Sequence, residues 1–541
     1  MVKQNRALVL LRKAQVAVIL AAVGVASPLA WSAAGSEPPA ALPVISQLPT
    51  LGDGSDMSSS AERRLGDRIA REIFRDPDYI DDPVLADYVQ GIWQPLLAAA
   101  RIRGDLSSEL EERFAWQIML GRDRTVNAFA LPGGYFGVHL GLIAIVSSRD
   151  ELASVLGHEL SHVTQRHISR LISKQSSQAP WMIGAMILGV LAASKNADAG
   201  NALIVGGQAA SAQSQLNFSR DMEREADRVG FGVMTQAGFE AQGFVSMFGK
   251  LQQASRLNDN GAYPYLRSHP LTTERIADMQ SRQLLLAPGQ SNTALTLEHA
   301  MIAARARVLS NPGVDALRAL LLEAGSVQLA PLSVARQASV LYGAALGASR
   351  LRDFSDAQGY LERLSALVRT DAKAARLSRL LAAEIALAMG DAPRAAAVLK
   401  AQAAEQHEVS VNADLTQRPE LLLWSQIVIQ PGQGARASDI SEVAQRLQVW
   451  VALHPQDALA WQLLSSAYAA QGQTVRAIRA DAETHAAMMD FPAALDRLKA
   501  AQELLRLRRA TLVAADHIDA SIIDTRRRQV EALLKEQALD R

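Results

Sequence analysis

The sequence predicts a mainly α protein in two parts: an α+β domain with a small β-sheet, followed by an all-α domain of helical repeats. Three observations carry that expectation. Aromatic residues make up only 5% of the 541, while Ala and Leu abound, which favours helix over a β-sandwich. Hydrophobic spacing is helical almost throughout, except across 113–146, where the period shortens. Beyond a Pro-Gly break at Pro288–Gly289 the chain is Ala/Leu-rich, and it carries the Trp–Leu–Tyr spacing of a tetratricopeptide-type helix pair. A chain of this length can bury more than one core.

The first 34 residues have the three parts of a secretory signal. Lys3, Arg6, Arg12 and Lys13 form a basic region, Ala14 to Ala26 is apolar, and Ser32, Ala33 and Ala34 offer a cleavage site. The apolar stretch is shorter than the roughly 20 residues a membrane-spanning helix needs, so cleavage is expected and an uncleaved anchor is the alternative. Residues 35–60, with Ser58-Ser59-Ser60, read as a flexible lead-in.

The first domain is expected over 61–285. Leu65, Ile69, Ile73 and then Leu85, Val89, Ile92 recur at helical spacing. Phe114 to Leu120 alternates weakly, and Asn127–Gly134 leads into Tyr135–Val138, which predicts two short strands joined by a Gly-rich turn. Such a sheet offers an edge to an extended peptide, or is a plain structural hairpin. Ser148 and Glu151 form a capping box that opens a helix from Arg149 to near Lys174. Trp181 to Ala193 is apolar and reads as a buried helix, with a membrane-touching element as the second reading, and 195–201 is a polar loop. A linker is expected at 286–299 and repeats over 300–541. Trp461, Leu464, Ser465, Tyr468, Gly472 and Ala477 mark the clearest repeat, Gly390 and Ala395 a second, and Tyr342, Phe354 and Ala357 a weaker third.

Lys+Arg and Asp+Glu both total 55, and no basic stripe is evident, which argues against nucleic acid as a partner. There is no cysteine, so disulfides, thiolate metal sites and lipid on an N-terminal Cys are excluded. Export without lipid or disulfide fits a soluble protein of the bacterial periplasm.

The chemistry is concentrated in His158-Glu159-Leu160-Ser161-His162. On a helix, positions i and i+4 share a face, so two imidazoles can meet one zinc ion, with Glu159 beside it as a base toward water. This implies a zinc-dependent peptidase and a zincin-like domain. A catalytic zinc takes three protein ligands, and Gln165 and Ile168 exclude the metzincin spacing for the third. His167 is about 140° round a continuous helix from His162, out of reach of the same ion, and reads as a solvent or core residue. Glu223 is the best third ligand. Asp227, one turn further, is placed to hydrogen-bond a ligating imidazole. Glu225 points away and reads as a surface charge. Taken alone, the run 220–228 reads equally well as a solvated charged face. His269, before Pro270, lies in a loop or at a helix start. It would hydrogen-bond an oxyanion, occupy the open zinc position, or merely cap a helix.

Asn127–Gly134, His158–His162, Ser219–Asp227 and Ser268-His269-Pro270-Leu271-Thr272-Thr273-Glu274-Arg275 together resemble the gluzincin family related to the CAAX prenyl proteases. The resemblance implies one zinc per chain, held by His158, His162 and Glu223. It implies Glu159 as catalytic base, Asp227 as an acidic partner often described as a proton donor, and a catalytic part for His269. For a periplasmic member with C-terminal repeats it further implies outer-membrane β-barrel proteins as substrates, degraded when stalled and aided in assembly otherwise. The repeats would then dock on the outer-membrane assembly machinery. The family's membrane-bound branches have several spanning helices, and the sequence shows none, so prenylated substrates are not expected. The competing reading is a repeat-bearing periplasmic adaptor or chaperone with a secondary or vestigial zinc site.

Overall fold

A computed structural model describes residues 57–174, 219–256, 262–285, 295–326, 329, 331–405, 417–430, 436–508 and 514–539. The expected signal segment, most of the lead-in, the apolar stretch 181–193 with its following loop, and most of the linker 286–299 lie outside the described residues.

Helix α1 (Ser59–Phe74) starts where the Ser58 hydroxyl accepts from Ala61 N, and it buries Leu65, Ile69, Ala70 and Phe74. A two-residue strand β1 (Tyr79–Ile80) follows, then α2 (Pro83–Arg103). Asp82 caps α2 by accepting from Leu85 N at 2.9 Å, with Pro83 just behind it. Gly104, at φ 78, ends the helix in the left-handed conformation that costs glycine little. After a short α3 (Ser108–Arg113) comes the sheet: β2 (Gln117–Gly121), β3 (Ala128–Leu131) and β4 (Tyr135–His139).

The strand order is β1-β2-β4-β3. The Gly-rich turn expected over Asn127–Gly134 is in part a strand: Ala128–Leu131 is β3, and only Pro132–Gly134 turns, joining β3 to β4 in antiparallel register (Ala128↔Val138 to Leu131↔Tyr135). The weakly alternating segment is a further strand, β2, parallel to β4. β3 is therefore an edge strand. His139 N donates to Asn127 O, so the alternation of the ladder turns the main-chain groups of Val126, Ala128 and Ala130 outward. Val126 already uses that edge: its N–H donates to Ala262 O and its carbonyl accepts from Tyr265 N.

Helices α4 (Leu140–Ile145) and α5 (Arg149–Thr164) follow the sheet, and α5 lies against β3. Ser148 accepts from Glu151 N at 3.2 Å, as a capping box requires. The Glu151 carboxylate, however, accepts from Ser147 N and from the Lys250 ammonium, one residue earlier than the motif predicts. Every residue from Glu151 to Thr164 is buried. The helix expected from Arg149 to near Lys174 is in fact two. It breaks at Gln165–Arg166, Arg166 takes φ 52, and α6 (His167–Lys174) sets off anew.

Helix α7 (Arg220–Gln236), capped by Ser219, crosses α5 and packs tightly on it. α8 (Gln242–Arg256), the short α9 (Tyr265–Ser268) and α10 (Thr273–Leu285) complete this part.

All later described elements are helices: α11 (Leu297–Ser310), α12 (Val314–Ser326), α13 (Val334–Arg350), α14 (Phe354–Val368), α15 (Ala372–Ala388), α16 (Ala392–Glu405), α17 (Arg418–Ile429), α18 (Ala437–Leu453), α19 (Ala458–Ala470), α20 (Thr474–Ala487), α21 (Phe491–Leu507) and α22 (Ala514–Leu539). The pair around Trp461 is α19 and α20, joined through Gly472 at φ 72. Gly390 does the same between α15 and α16 at φ 82.

One apolar core runs from Val84 and Trp93 in α2 through Leu152 to Val163 in α5, and on to Met301, Leu341 and Leu381 in the later helices. Three arginines from those helices also reach back to the start of α2. Arg305 pairs with Asp82 and Glu384, Arg376 with Asp87 and Glu420, and Arg418 with Asp81 and Asp457. Burial opposes the Asp82 charge, but Arg305 prevails and holds its pKa below the ordinary carboxylate value.

Candidate metal centre

Four segments converge on a buried cluster. α5 supplies His158, Glu159 and His162, α7 supplies Glu223 and Asp227, the end of α9 supplies His269, and α10 supplies Arg275. The Nε2 atoms of His158 and His162 are 3.0 Å apart. Glu223 brings Oε2 to 3.6 Å from His158 Nε2 and Oε1 to 3.5 Å from His162 Nε2. His269 Nδ1 is 3.0 Å from Glu223 Oε1 and 3.3 Å from His158 Nε2. One donor atom from each of these four residues lies within 4.8 Å of the others.

Three more residues hold the cluster in place. Asp227 Oδ1 is 2.9 Å from His158 Nδ1, on the side of the ring away from the centre. Arg275 grips Asp227 with two bonds of 2.6 and 2.8 Å, places Nη1 2.8 Å from Glu223 Oε2, and donates to Pro270 O beside His269. Tyr265 stacks on the His269 ring at 4.6 Å.

The donor set fits a divalent cation. Two imidazole nitrogens 3.0 Å apart, with a carboxylate aimed at both, can share one cation between them. Among the described residues, the buried carboxylates of Glu159, Glu223 and Asp227 face the one guanidinium of Arg275, so their formal charge is negative with neutral imidazoles. Burial opposes the His158 cation, yet Asp227 and Glu223 outweigh it and push its pKa up to about 9. Burial and the neighbouring His158 drive the His162 pKa well below normal. Glu223, despite burial, is held well below the ordinary carboxylate value by His269 and His158. Both oxygens of Glu159 are buried and accept no hydrogen bond from the described residues; Oε1 is 3.5 Å from His269 Nε2. Two imidazoles and one carboxylate are a His₂Glu donor set, with no thiolate.

The structure thus brings together all six residues singled out in the sequence. Asp227 touches His158 and not the centre. His167 is buried and stays out of the cluster, as expected, and because the helix breaks at Arg166 its Nδ1 comes to 2.9 Å from His162 Nδ1. Glu225 does not simply face solvent, since it accepts from His167 Nε2 at 3.0 Å and from Arg170 at 2.6 Å. Arg275 stands in the quoted His-Pro run, but no periodicity assigns it a partner 48 residues away.

Comparison with known proteins agrees with this arrangement. Residues 94–283 match peptidase family M48. The putative beta-barrel assembly-enhancing protease of Vibrio cholerae is 34% identical over 331 residues, 60% of this chain and 65% of that protein, so the match spans just under two thirds of the relative. The beta-barrel assembly-enhancing protease of Escherichia coli is 29% identical over 491 residues, 89% of this chain and 92% of the relative. The mitochondrial metalloendopeptidase OMA1 of Saccharomyces cerevisiae is 29% identical over 196 residues, 35% of this chain and 54% of the relative. The peptidase match encloses every member of the buried cluster, and the Escherichia coli alignment continues through the helical region. Residues 94–283 are thus similar to peptidase family M48 and carry a metalloendopeptidase site, and most of the chain is similar to the beta-barrel assembly-enhancing proteases.

Proposed function

We propose that the protein is a zinc endopeptidase of the bacterial periplasm that degrades misassembled outer-membrane β-barrel proteins and aids the assembly of others. The observation that carries the chemistry is the convergence of His158, His162 and Glu223 beside a buried Glu159 carboxylate that accepts no hydrogen bond from the described residues. His158, His162 and Glu223 would hold the zinc. When bound, it supplies a Lewis acid that lowers the pKa of a water and polarises the scissile carbonyl. Glu159 takes the proton as the water oxygen attacks the carbonyl carbon, then gives it to the amide nitrogen as the C–N bond breaks. Asp227, itself held by Arg275, fixes the ring of His158. His269 offers a fourth donor at the same centre and, with zinc bound, would be a resting occupant of the position a substrate must take.

The outward groups of Ala128 and Ala130 on β3 continue the edge that Val126 shares with Ala262 and Tyr265. A substrate laid along that edge as an added strand would run beside β3, which packs against α5, the helix that carries Glu159. Three features support the proposed clients and compartment: the relatives' names, the signal-like first 34 residues and the even charge balance. The helices beyond residue 300 form the client-selecting or machinery-docking part. The adaptor reading draws on the extent of those helices. Against it stands the buried Glu159, which a binding module would not require. The test compares wild type with Glu159→Gln. Wild type should contain one zinc and cleave unfolded casein, while Glu159→Gln should retain β-barrel proteins from envelope extracts uncut. A wild-type protein that binds no zinc, or a trap that captures no outer-membrane protein, would refute the respective half of the reading.

A further inference from the structure

The break between α5 and α6 returns to the metal cluster a residue that the proposed chemistry does not use. Arg166, at φ 52, occupies a conformation that costs a side-chain-bearing residue about 1 kcal/mol or more. Three partners hold it there: the buried Glu62 carboxylate at 3.0 Å, the Met57 carbonyl, and Ser169 Oγ at 3.1 Å. Ile168 and Ile172 of α6 pack in one cluster with Leu65 and Ile69 of α1. Where α6 begins is therefore fixed from two sides, and it begins with His167 folded back onto His162.

The hydrogens on these rings follow from what their partners can do. A carboxylate only accepts, so the 3.0 Å contact with Glu225 places a hydrogen on His167 Nε2. A neutral imidazole then has its lone pair at Nδ1. The hydrogen in the 2.9 Å contact between the two Nδ1 atoms must therefore come from His162. That leaves His162 Nε2 as a bare lone pair, and Nε2 is the atom facing His158 and Glu223. Arg170, 2.6 Å from the same Glu225 oxygen, keeps that carboxylate charged and in place.

We propose that His167, oriented by Glu225 and Arg170, is a positioning residue that sets His162 in the tautomer and ring orientation required to bind the metal. This rests on the proposed zinc reading and adds a role that the ligands alone do not explain. His158 has a matching support in Asp227, so each imidazole of the pair is steadied on its far nitrogen by a different element.

The test measures zinc affinity by chelator competition in the full chain, and the visible spectrum of the Co²⁺-substituted protein, in His167→Phe, His167→Asn and Glu225→Ala. Phe keeps a ring but offers no acceptor, and affinity should fall by about 10–100-fold with an altered Co²⁺ spectrum. Asn can present an oxygen where Nδ1 stood, so it should restore affinity to within about threefold of wild type, which a purely structural role does not explain. Glu225→Ala, at a side chain 40% exposed, should show a smaller loss than Phe without disturbing the core. Unchanged zinc affinity in folded His167→Phe overturns the proposal, as does Asn binding no better than Phe. If His167→Phe does not fold, unchanged affinity in Glu225→Ala overturns it instead. His162→Ala separates the two levels: if it binds zinc as wild type does, the zinc reading itself fails. If it loses zinc while His167→Phe retains it, only the role of His167 fails.

Discussion

Gly157 and Gly230 meet backbone to backbone where α5 crosses α7: a Cβ on Gly230 would stand 2.9 Å from both the carbonyl oxygen of Gly157 and the amide nitrogen of His158. The contact aligns the centre. Glu223, Asp227 and Gly230 are spaced i, i+4 and i+7, so they share one face of α7. Seating Gly230 next to His158 therefore carries both carboxylates to the imidazoles.

Gly230→Ala should force the helices apart. Helix propensity alone would favour Ala by about 1 kcal/mol. The new methyl meets main chain that cannot rotate away, and overpacking of this kind costs about 1–3 kcal/mol. A lower melting temperature and weaker zinc binding are expected together, because the same displacement withdraws Glu223. Gly249→Ala, in α8 with open space around it, is the control and should be neutral or stabilising. Equal stability and zinc affinity in the two variants would dismiss the close contact as the device that aligns the site.

Glu159→Gln should abolish casein hydrolysis and keep full zinc occupancy, because Glu159 is assigned as a base and not a ligand. His158→Ala, His162→Ala and Glu223→Ala should each lose metal as well as activity. Metal analysis of the purified proteins decides the point, and full zinc in Glu223→Ala would reopen the search for the third ligand.

The contrast between these residues and their supports shows what a sequence carries. His158, Glu159 and His162 are legible because their relation is local: helical periodicity alone puts two imidazoles on one face. Glu223 and Asp227 become legible once the first pair demands a third ligand and i, i+4 spacing pairs the carboxylates. The partnership of His167 with His162 is not legible, since it depends on Arg166 leaving the helix. Arg166 leaves because Glu62, 104 residues earlier, is there to hold it. Arg275 likewise finds Asp227 only when α10 is laid beside α7. β2 was discernible only as weak alternation, because its partner β4 is parallel and no turn signal links them.

His269→Ala tests the resting occupant. Three donors remain, so zinc should stay bound, and casein hydrolysis should match or exceed wild type. If His269 instead steadies the oxyanion, activity should fall about a hundredfold or more. Zinc content and initial rates measured on one preparation separate the outcomes, and a hundredfold loss with metal intact ends the occupant reading.

His299 should make stability depend on pH near neutrality. Its Nε2 donates to Val146 O at 2.8 Å, its Nδ1 accepts from Tyr88 OH at 2.6 Å, and burial lowers its pKa against the pull of Val146. The folded protein thus keeps His299 neutral at pH values where the unfolded chain protonates it. The unfolded state binds more protons below about pH 6.5, so stability from this group is complete above that pH and falls as pH drops below it, by at most about 1.4 kcal/mol per unit. Melting temperatures at pH 7 and pH 5 should differ less in His299→Gln than in wild type. An equal difference would show that His299 does not carry the dependence.

Arg305 should be the costliest of the arginines that tie the later helices to α2. It is buried, and it donates to Asp82 at 2.7 and 2.8 Å, to both oxygens of Glu384 at 2.9 Å, and to Tyr342 OH at 3.1 Å. Removing it leaves the buried Asp82 charge without its cation, at the residue that caps α2, and breaking a buried pair in this way costs about 3–5 kcal/mol. Arg506 pairs just as closely with Glu503, but at the exposed surface, where solvent screens the pair and little stability rests on it. Arg305→Ala should therefore lower the denaturation midpoint far more than Arg506→Ala. Because α11 and α2 share one apolar core with α5, the loss should also appear as a single cooperative transition, with the zinc-binding part unfolding together with the helices behind it. Two separate transitions in Arg305→Ala, with zinc retained through the first, would show that the peptidase part holds its fold without the helices that Arg305 anchors.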